Sequence, residues 1–268
     1  MFPFVEFYAQ LIALLVSIFS YKKKSVALSG FLSMVLISSF FIWNKGIAPL
    51  CILFAMFASA SLLTHYKEHY KSSLTSAVIA KHGPRDYIQA ICNLGVASFC
   101  FLMYTFTQEK YLLLVLLCSV AASNADSWAS EIGVLSKKTP VMITNFKPCR
   151  PGISGGITLL GTLAGICGSM FIALLAVLLK QYMLPSYSSF TLFTWITLAG
   201  TFGLLLDSLL GATVQKVYQD NNGQETENTL LAQKEKRGWK GINNDVINLL
   251  NAVFVAVLVW VCYLLLNT

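Results

Sequence analysis

Long runs of apolar residues alternate with shorter polar connections along the chain. Each run is close to the about 20 residues that an α-helix needs to cross the hydrocarbon core of a bilayer. Only a few residues around Lys45 separate the second run from the third. The pattern predicts eight membrane-spanning helices, over residues 4–20, 25–43, 46–63, 88–107, 111–134, 156–179, 190–215 and 246–266.

The composition also indicates a membrane protein. The chain is 56% hydrophobic and only 12% charged, whereas soluble domains average about 25% charged residues. Its seven cysteines are scattered without a Cys-x-x-Cys pair, so neither a disulfide scaffold nor a zinc site is expected. No internal repeat and no long linker divides the sequence. The predicted fold is therefore all-α, a polytopic transmembrane helix bundle that forms a single integral-membrane domain over residues 1–268.

Basic residues are distributed unevenly between the connections. Alternate connections hold 16 of the 19 lysines and arginines, while the intervening ones hold only Lys45, Lys110 and Lys180. Because basic connections stay in the cytoplasm, we expect both termini outside it and the three long connections inside it. The same bias explains the net charge of +7 without a nucleic-acid partner. We expect a multi-pass protein, in the plasma membrane if the source is bacterial, with its active site facing the cytoplasm.

Several carboxylates interrupt or border the apolar runs, where an ionised group is costly and usually faces a partner, a cavity or an ion. Asp126 and Glu131 lie towards the end of the fifth run, Asp207 lies inside the seventh, and Asp245 opens the eighth. At the helical rise, Asp126 and Asp207 are about 16 Å and about 13 Å from the basic residues that follow them. These acids are therefore expected in the cytoplasmic half of the membrane.

A polar stripe leads into the fourth run. Arg85 precedes Asp86, Gln89 and Asn93, and the last three are spaced so that they share one helix face. The stripe is typical of a binding site at the membrane edge. It is equally typical of hydrogen bonds between helices, and Asp86 is well placed to cap the helix that follows.

A second stripe lies at the start of the last run, where Asn244, Asn248 and Asn251 share a face. Asparagine is unfavourable in hydrocarbon, so this face should meet protein, water or a ligand. Oxygen ligands without an imidazole favour a hard cation such as Mg²⁺. Helix packing is the alternative interpretation.

A glycine-containing loop precedes the sixth run, over residues 147–157. Its prolines exclude a helix through 148–151, and its glycines allow a ligand to approach the backbone closely. Amide groups at a following helix start, together with two basic side chains, favour a phosphate site over a simple turn. The glycines at 161, 165 and 168 are instead assigned to tight helix packing. The candidate phosphate ligands are Lys147, Arg150, Gly152, Ser154, Gly155 and Gly156.

Taken together, these motifs resemble the integral-membrane phytyl-phosphate kinase family and its bacterial, archaeal and animal relatives of unassigned role. That family is distantly similar to dolichol and phytol kinases. The motif-bearing core covers about residues 80–250. The matching segments are Arg85-Asp86 with Gln89 and Asn93, then residues 126–133, 151–156, 207–215 and 244–248.

The resemblance implies phosphoryl transfer from a nucleoside triphosphate, with CTP as the expected donor. The acceptor would be an isoprenyl monophosphate such as phytyl or geranylgeranyl phosphate, and the product its diphosphate. Because the acceptor is already an oxyanion, no general base is needed, and the motifs contain no histidine. The resemblance also implies a role for each group of residues. Mg²⁺ would be held by Asp126, Glu131, Asp207 and Asp245, and the nucleotide by Lys147, Arg150, Ser154 and the loop glycines. Arg85 would bind the acceptor phosphate or the transferring group, and the polar lining would be completed by Asp86, Gln89, Asn93, Asn244 and Asn248.

Two other functions fit parts of the pattern. A cation-coupled membrane transporter would also need intramembrane acids and asparagines, but it should place them near the midplane with access from both faces. A structural protein would use the polar stripes only to join helices. The concentration of polar motifs on one face favours the enzyme. Its expected partners are the lipid acceptor, the nucleotide and membrane lipids, with a homodimer as one alternative to a monomer.

Overall fold

The computed structural model describes residues 3–79 and 83–267. Within these ranges the helices are α1 (Pro3–Lys22), α2 (Leu28–Trp43), α3 (Ile47–His65), α4 (Glu68–Thr75), α5 (Tyr87–Thr107), α6 (Tyr111–Gly133), α7 (Leu159–Leu178), α8 (Lys180–Met183), α9 (Ser189–Thr213) and α10 (Asn244–Asn267). The strands are β1 (Val141–Met142), β2 (Gly156–Ile157), β3 (Val217–Gln219), β4 (Glu225–Thr226) and β5 (Lys234–Arg237).

Each predicted span corresponds to one helix, so the helical membrane architecture is confirmed. Among the described residues, seven helices are long and apolar enough to cross a membrane: α1, α3, α5, α6, α7, α9 and α10. The other helix that corresponds to a predicted span is α2, which has 16 residues and is about 24 Å long, shorter than a hydrocarbon core of about 30 Å. Tight turns connect α2 to α1 and to α3, and α2 packs against both.

Helix α6 forms the centre of the bundle and contacts α3, α5, α7, α9 and α10. Every residue from Leu113 to Ala125 is buried. Its neighbours approach closely because small residues face it, as is usual for helices that associate without a hydrophobic driving force. In α7, a Cβ at Gly165 would lie 2.9 Å from the carbonyl oxygen of Ala125, and one at Gly168 would lie 2.9 Å from the Trp128 ring. The packing role predicted for the α7 glycines is thus confirmed.

The long polar connections gather at one end of the bundle, which we call the loop end. Strands β1 and β2 pair antiparallel there, and β3 lies between β4 and β5 in a three-stranded sheet. Val78, Met142, Ile153, Ala212 and Val217 form a small buried core beneath these connections. Helices α6 and α9 therefore end at the loop end, and α5, α7 and α10 begin there.

The sixth span begins slightly later than predicted. Gly156 pairs with Met142 in the β1–β2 ribbon, so the backbone at 156–157 is extended rather than helical. Helix α7 begins only after Thr158, whose hydroxyl oxygen accepts a hydrogen bond of 3.0 Å from the Gly161 amide. This cap satisfies one of the amides that a helix start leaves without a partner. All seven cysteines are free in the structure.

Candidate functional site

Three helices meet closely below the loop end. A Cβ built at Gly203 of α9 would lie 2.4 Å from the Cβ of Ala122 in α6 and 3.1 Å from Val255 in α10. Helices α6 and α9 run towards the loop end, whereas α10 runs away from it. The backbones are therefore nearly in contact at this level, and side chains one helical turn nearer the loop end must face one another.

Those side chains are Asp126 of α6, Asp207 of α9 and Asn251 of α10. The carboxyl groups of Asp126 and Asp207 lie within hydrogen-bonding reach of each other. Asp207 is 8% exposed and Asn251 is 3% exposed, while Asp126 is only partly buried. The structure thus brings together two of the four acids predicted from the sequence, which we call the acid pair.

The acid pair carries unused acceptor capacity. Among the described residues, Asp207 Oδ1 and Asn251 Oδ1 are buried and have no hydrogen-bond partner. An orphaned buried acceptor costs about 1–3 kcal/mol, and more when it is charged. Mg²⁺ in phosphate-handling sites is typically held by one or two carboxylates, with substrate phosphates and water completing its shell. Two carboxylates beside orphaned oxygens fit such an ion.

Glu131 and Asp245 are not part of the acid pair, which corrects the prediction of a four-carboxylate cluster. In the described part of the chain, no three His, Cys, Asp or Glu side chains converge as metal ligands. Glu131 is five residues after Asp126, about 140° around α6. Asp245 is 7% exposed in the first turn of α10, six residues before Asn251 and so on a different face.

The carboxylate of Glu131 instead lies in a charged cluster with Lys71 and Arg85, which we call the cationic cluster. Lys71 donates to Glu131 Oε2 and, at 2.6 Å, to the carbonyl of Leu63. The Thr64 hydroxyl donates to Glu131 Oε1 at 2.6 Å and accepts from Arg85 Nη2 at 3.3 Å. Two cations face one carboxylate, so the cluster has a net positive charge and is suited to bind an anion.

Lys71 is a site residue that sequence reasoning missed. It is 7% exposed, although α4 as a whole is short and polar. Lys67 and Lys81 lie in the same connection, and nothing in the sequence distinguishes Lys71 from them.

Arg85 covers a cavity of about 100 Å³ between α2, α3 and α5. Its guanidinium lies 5.7 Å from the centre of the Phe57 ring. Asp86 Oδ1 accepts from the Gln89 amide at 3.0 Å and so caps α5, which confirms the capping alternative. Asn93 donates to the Gln89 carbonyl at 3.0 Å. Gln89 and Asn93 line the same cavity, so the stripe of α5 also faces a space large enough for part of a ligand.

The glycine loop binds a carboxylate of the protein itself. The Ser154 amide donates to Glu227 Oε1 at 2.7 Å, and Gln215 Nε2 donates to Glu227 Oε2 at 2.8 Å. Arg237 donates to the carbonyls of Ser154 at 2.9 Å and Gly211 at 2.6 Å. Sequence reasoning missed Glu227 and its partners because they lie in a polar connection that resembles an ordinary surface loop.

The loop glycines are required for backbone conformation and packing. Gly152 and Gly155 have φ of +87° and +84°, values that other residues adopt with strain. A Cβ at Gly155 would lie 2.4 Å from Ala212, and one at Gly152 would lie 2.9 Å from Thr75. The Gly156 amide donates to the Ile153 carbonyl at 3.0 Å. The packing alternative therefore explains these glycines without a ligand, and their binding of phosphate stays a prediction.

The two basic residues of the loop differ in their surroundings. Arg150 Nη1 donates to Asp220 at 3.1 Å and to the Glu225 carbonyl at 3.2 Å. Amide hydrogen bonds, first that of Gln224, hold the pKa of the Asp220 carboxyl below its ordinary value, and Arg150 adds to this. Lys147 is exposed at the loop surface. Nucleotide phosphates could reach Lys147 directly but would have to compete with Asp220 for Arg150.

The remaining predicted residues lie along α10. Asn244 is exposed at the first turn and Asn248 is partly buried one turn further. Both share a face of α10 with Asn251 and lie between it and the loop end.

The glycine loop should respond to pH through Glu227. Burial raises the pKa of its carboxyl above the ordinary 4.5, so the folded protein binds this proton more tightly than the unfolded chain. The contribution to stability is therefore lost as pH rises from about 4.5 through the folded pKa. We expect Glu227→Gln to reduce this pH dependence, measured as the thermal midpoint between pH 4.5 and 8 in detergent, because glutamine does not titrate in this range. The substitution should be tolerated because the new amide can donate to the orphaned Gln215 Oε1. An unchanged pH profile would show that Glu227 ionises freely.

One protein family matches most of this chain. The family described as Integral membrane protein DUF92 matches residues 11–256, a range that includes every candidate site residue. The chain is similar to Protein PGR of Arabidopsis thaliana, with 30% identity over 227 residues and 78% of each chain covered. An uncharacterized membrane protein of Methanocaldococcus jannaschii is 32% identical over 128 residues, 48% of this chain and 51% of that protein.

A second plant protein matches a shorter part. Protein VTE6, chloroplastic, of Arabidopsis thaliana is 32% identical over 127 residues, which are 47% of this chain and 31% of that protein. No solved structure matches the chain.

Proposed function

This chain belongs to the integral membrane family DUF92. On that premise we propose that it transfers a phosphoryl group from a nucleoside triphosphate, with CTP as the expected donor, to an isoprenyl monophosphate such as phytyl or geranylgeranyl phosphate. The membership that the motifs predicted is confirmed, and the activity is our proposal. The observation that carries it is the acid pair with its orphaned oxygens. The nearby cationic cluster supports it.

The two groups of side chains lie on either side of one helix. Asp126 contacts Asp207 of α9, while the next residue, Ser127, lines the cavity beneath Arg85. Consecutive residues of α6 thus face the proposed cation-binding site and the proposed anion-binding site. This arrangement suits two phosphorylated substrates, one brought by its metal ion and one by its own charge.

In the reaction, an oxygen of the acceptor phosphate attacks the γ-phosphorus of CTP. The bond between that phosphorus and the β–γ bridging oxygen breaks, and its electron pair leaves with the β-phosphate. The products are CDP and an isoprenyl diphosphate. Catalysis of this kind depends on positioning and charge neutralisation rather than on a general base.

Each group of residues has a distinct task in this proposal. Asp126 and Asp207 would hold Mg²⁺, and the Asn251–Asn248 face of α10 would line the approach. When bound, Mg²⁺ supplies charge neutralisation at the β- and γ-phosphate oxygens. Arg85 and Lys71 bind the acceptor phosphate, with Glu131 holding them in place. Lys147 and Arg150 bind the nucleotide at the loop end, which we propose faces the cytoplasm, at the plasma membrane if the source is bacterial.

The assay uses purified protein in detergent with Mg²⁺, γ-labelled CTP or ATP, and phytyl, geranylgeranyl or farnesyl monophosphate. We expect label in the corresponding diphosphate, with CTP preferred. Farnesol, which has the tail but no phosphate, is the acceptor control and should take up no label. Absence of transfer with every nucleotide and acceptor would contradict the proposal.

One observation also fits a cation-coupled transporter. The acid pair is buried in the membrane half nearer the loop end, and intramembrane carboxylates form ion sites in transporters. Uptake of a solute into proteoliposomes under a cation gradient, without any transfer of label to lipid, would favour that function.

A further inference from the structure

The wall of the cavity covered by Arg85 differs in character from side to side. The polar side chains of Arg85, Gln89 and Asn93 form the side nearest α5. The sides formed by α2 and α3 are mostly apolar and include Met34 and Leu53. The acid pair does not line it. A ligand that fits this space must therefore present an anionic or polar group to α5 and a short hydrocarbon portion to α2 and α3.

Two further observations fit a ligand beside Arg85 and Gln89. Gln89 Oε1 is buried and has no hydrogen-bond partner among the described residues. An amide can present either its oxygen or its NH₂ group to a phosphate. The position of Arg85 is fixed by its backbone, since its carbonyl accepts from the Ala27 amide at 2.9 Å and a Cβ at Gly30 would lie 2.2 Å from that oxygen.

The volume limits what the cavity can hold. About 100 Å³ is well below the about 300–1,000 Å³ of sites that enclose a whole drug-sized ligand. A complete isoprenoid tail therefore does not fit, and only the phosphate-proximal end of one can enter.

Resting on the proposed function, we propose that this cavity binds the phosphate-bearing end of the isoprenyl acceptor. Arg85 and Gln89 contact the phosphate from the cavity wall, Lys71 contacts it from the cationic cluster, and the apolar walls of α2 and α3 enclose the first isoprene unit. The rest of the tail lies between the helices and the bilayer. The protein should therefore recognise the head and first unit while tolerating different tail lengths.

The rival location for the tail is a groove of about 570 Å³ between α5, α6 and α10. Its lining residues carry no charged side chain; Gly95 and Trp260 are among them. Such a groove has nothing that selects a phosphate, and in a bilayer any acyl chain can fill it. This contrast allows matched substitutions to distinguish the two locations.

The test measures binding of labelled farnesyl monophosphate to the purified full chain in detergent, without nucleotide. Ala60→Leu and Ala90→Leu place a larger side chain in the cavity wall, and each should weaken binding by about tenfold or more because the added carbons occupy space that the ligand needs. Gly95→Leu is the matched control in the groove between α5, α6 and α10, where a Cβ at Gly95 would meet only ordinary contact at 3.6 Å. It should bind normally. Wild-type protein should bind geranyl, farnesyl and geranylgeranyl phosphates similarly, and farnesol much more weakly.

Thermal midpoints identify which of the two cavity variants remain folded, and Ala90 is the milder site because it is only partly buried. Normal binding in a folded cavity variant, or loss of binding in Gly95→Leu alone, would overturn the proposal. The assay is independent of catalysis. Selective binding without label transfer from any nucleotide would support the cavity and contradict the kinase, whereas transfer with full activity in Ala60→Leu would do the reverse.

Discussion

Asparagine at position 207 is expected to lower the turnover of phosphoryl transfer by about 10²–10³-fold, the loss typical of removing one preorganised charge-stabilising group. Asp207 contacts Asp126, and its Oδ1 is a buried oxygen without a partner in the described residues. Asp207→Asn keeps the shape of the side chain and removes the charge that would hold Mg²⁺. Turnover of the purified variant with CTP and farnesyl monophosphate at saturating Mg²⁺ measures the effect. Asp126→Asn should behave in the same way.

The thermal stability of Asp207→Asn should not fall with its activity. Two carboxylates side by side, one of them buried, repel each other when no cation lies between them, so in EDTA the thermal midpoint of Asp207→Asn should equal or exceed that of the wild type. Mg²⁺ should raise the midpoint of the wild type and not of the variant. Glu109→Gln makes the same chemical change at an exposed site at the opposite end of the bundle and should leave both readouts unchanged. Full turnover in Asp207→Asn would refute the metal role.

The acid pair could be predicted from the sequence because hydrocarbon makes an isolated carboxylate conspicuous. Asp126 and Asp207 interrupt apolar runs, and both lie at a similar depth. The spans themselves followed from run length. The sequence also contained the reason for excluding Glu131, since a spacing of five residues places it on a different face of the helix from Asp126.

Other parts of the site depend on contacts between distant segments and leave no local pattern. The burial of Lys71 depends on its pairing with Glu131, 60 residues further along the chain. Glu227 reaches Ser154 across 73 residues. The glycine loop illustrates the same limit, since glycines that approach a phosphate and glycines that approach Ala212 have identical sequence signals.

Removing Lys71 is expected to give the second largest effect. Lys71→Met removes one of the two cations that face the Glu131 carboxylate. Breaking a fully buried ion pair costs about 3–5 kcal/mol, and the cost here should be smaller because the Glu131 side chain is 23% exposed. We expect a clear fall in the thermal midpoint. We also expect the KM for the isoprenyl phosphate to rise by about tenfold or more, because a charge-assisted hydrogen bond to phosphate contributes about 1.5–3 kcal/mol. The KM for CTP should be unchanged.

The double variant Lys71→Met/Glu131→Gln separates structure from binding. Because it removes both charges of the pair, it should recover much of the stability lost in the single variant. It cannot restore a cation to the acceptor phosphate, so the raised KM for the isoprenyl phosphate should persist. A double variant that recovers the wild-type KM together with the thermal midpoint would show that the cationic cluster only holds α4 against α6. A persistent KM defect in a stable protein assigns Lys71 to the acceptor, because packing alone predicts that stability and KM recover together.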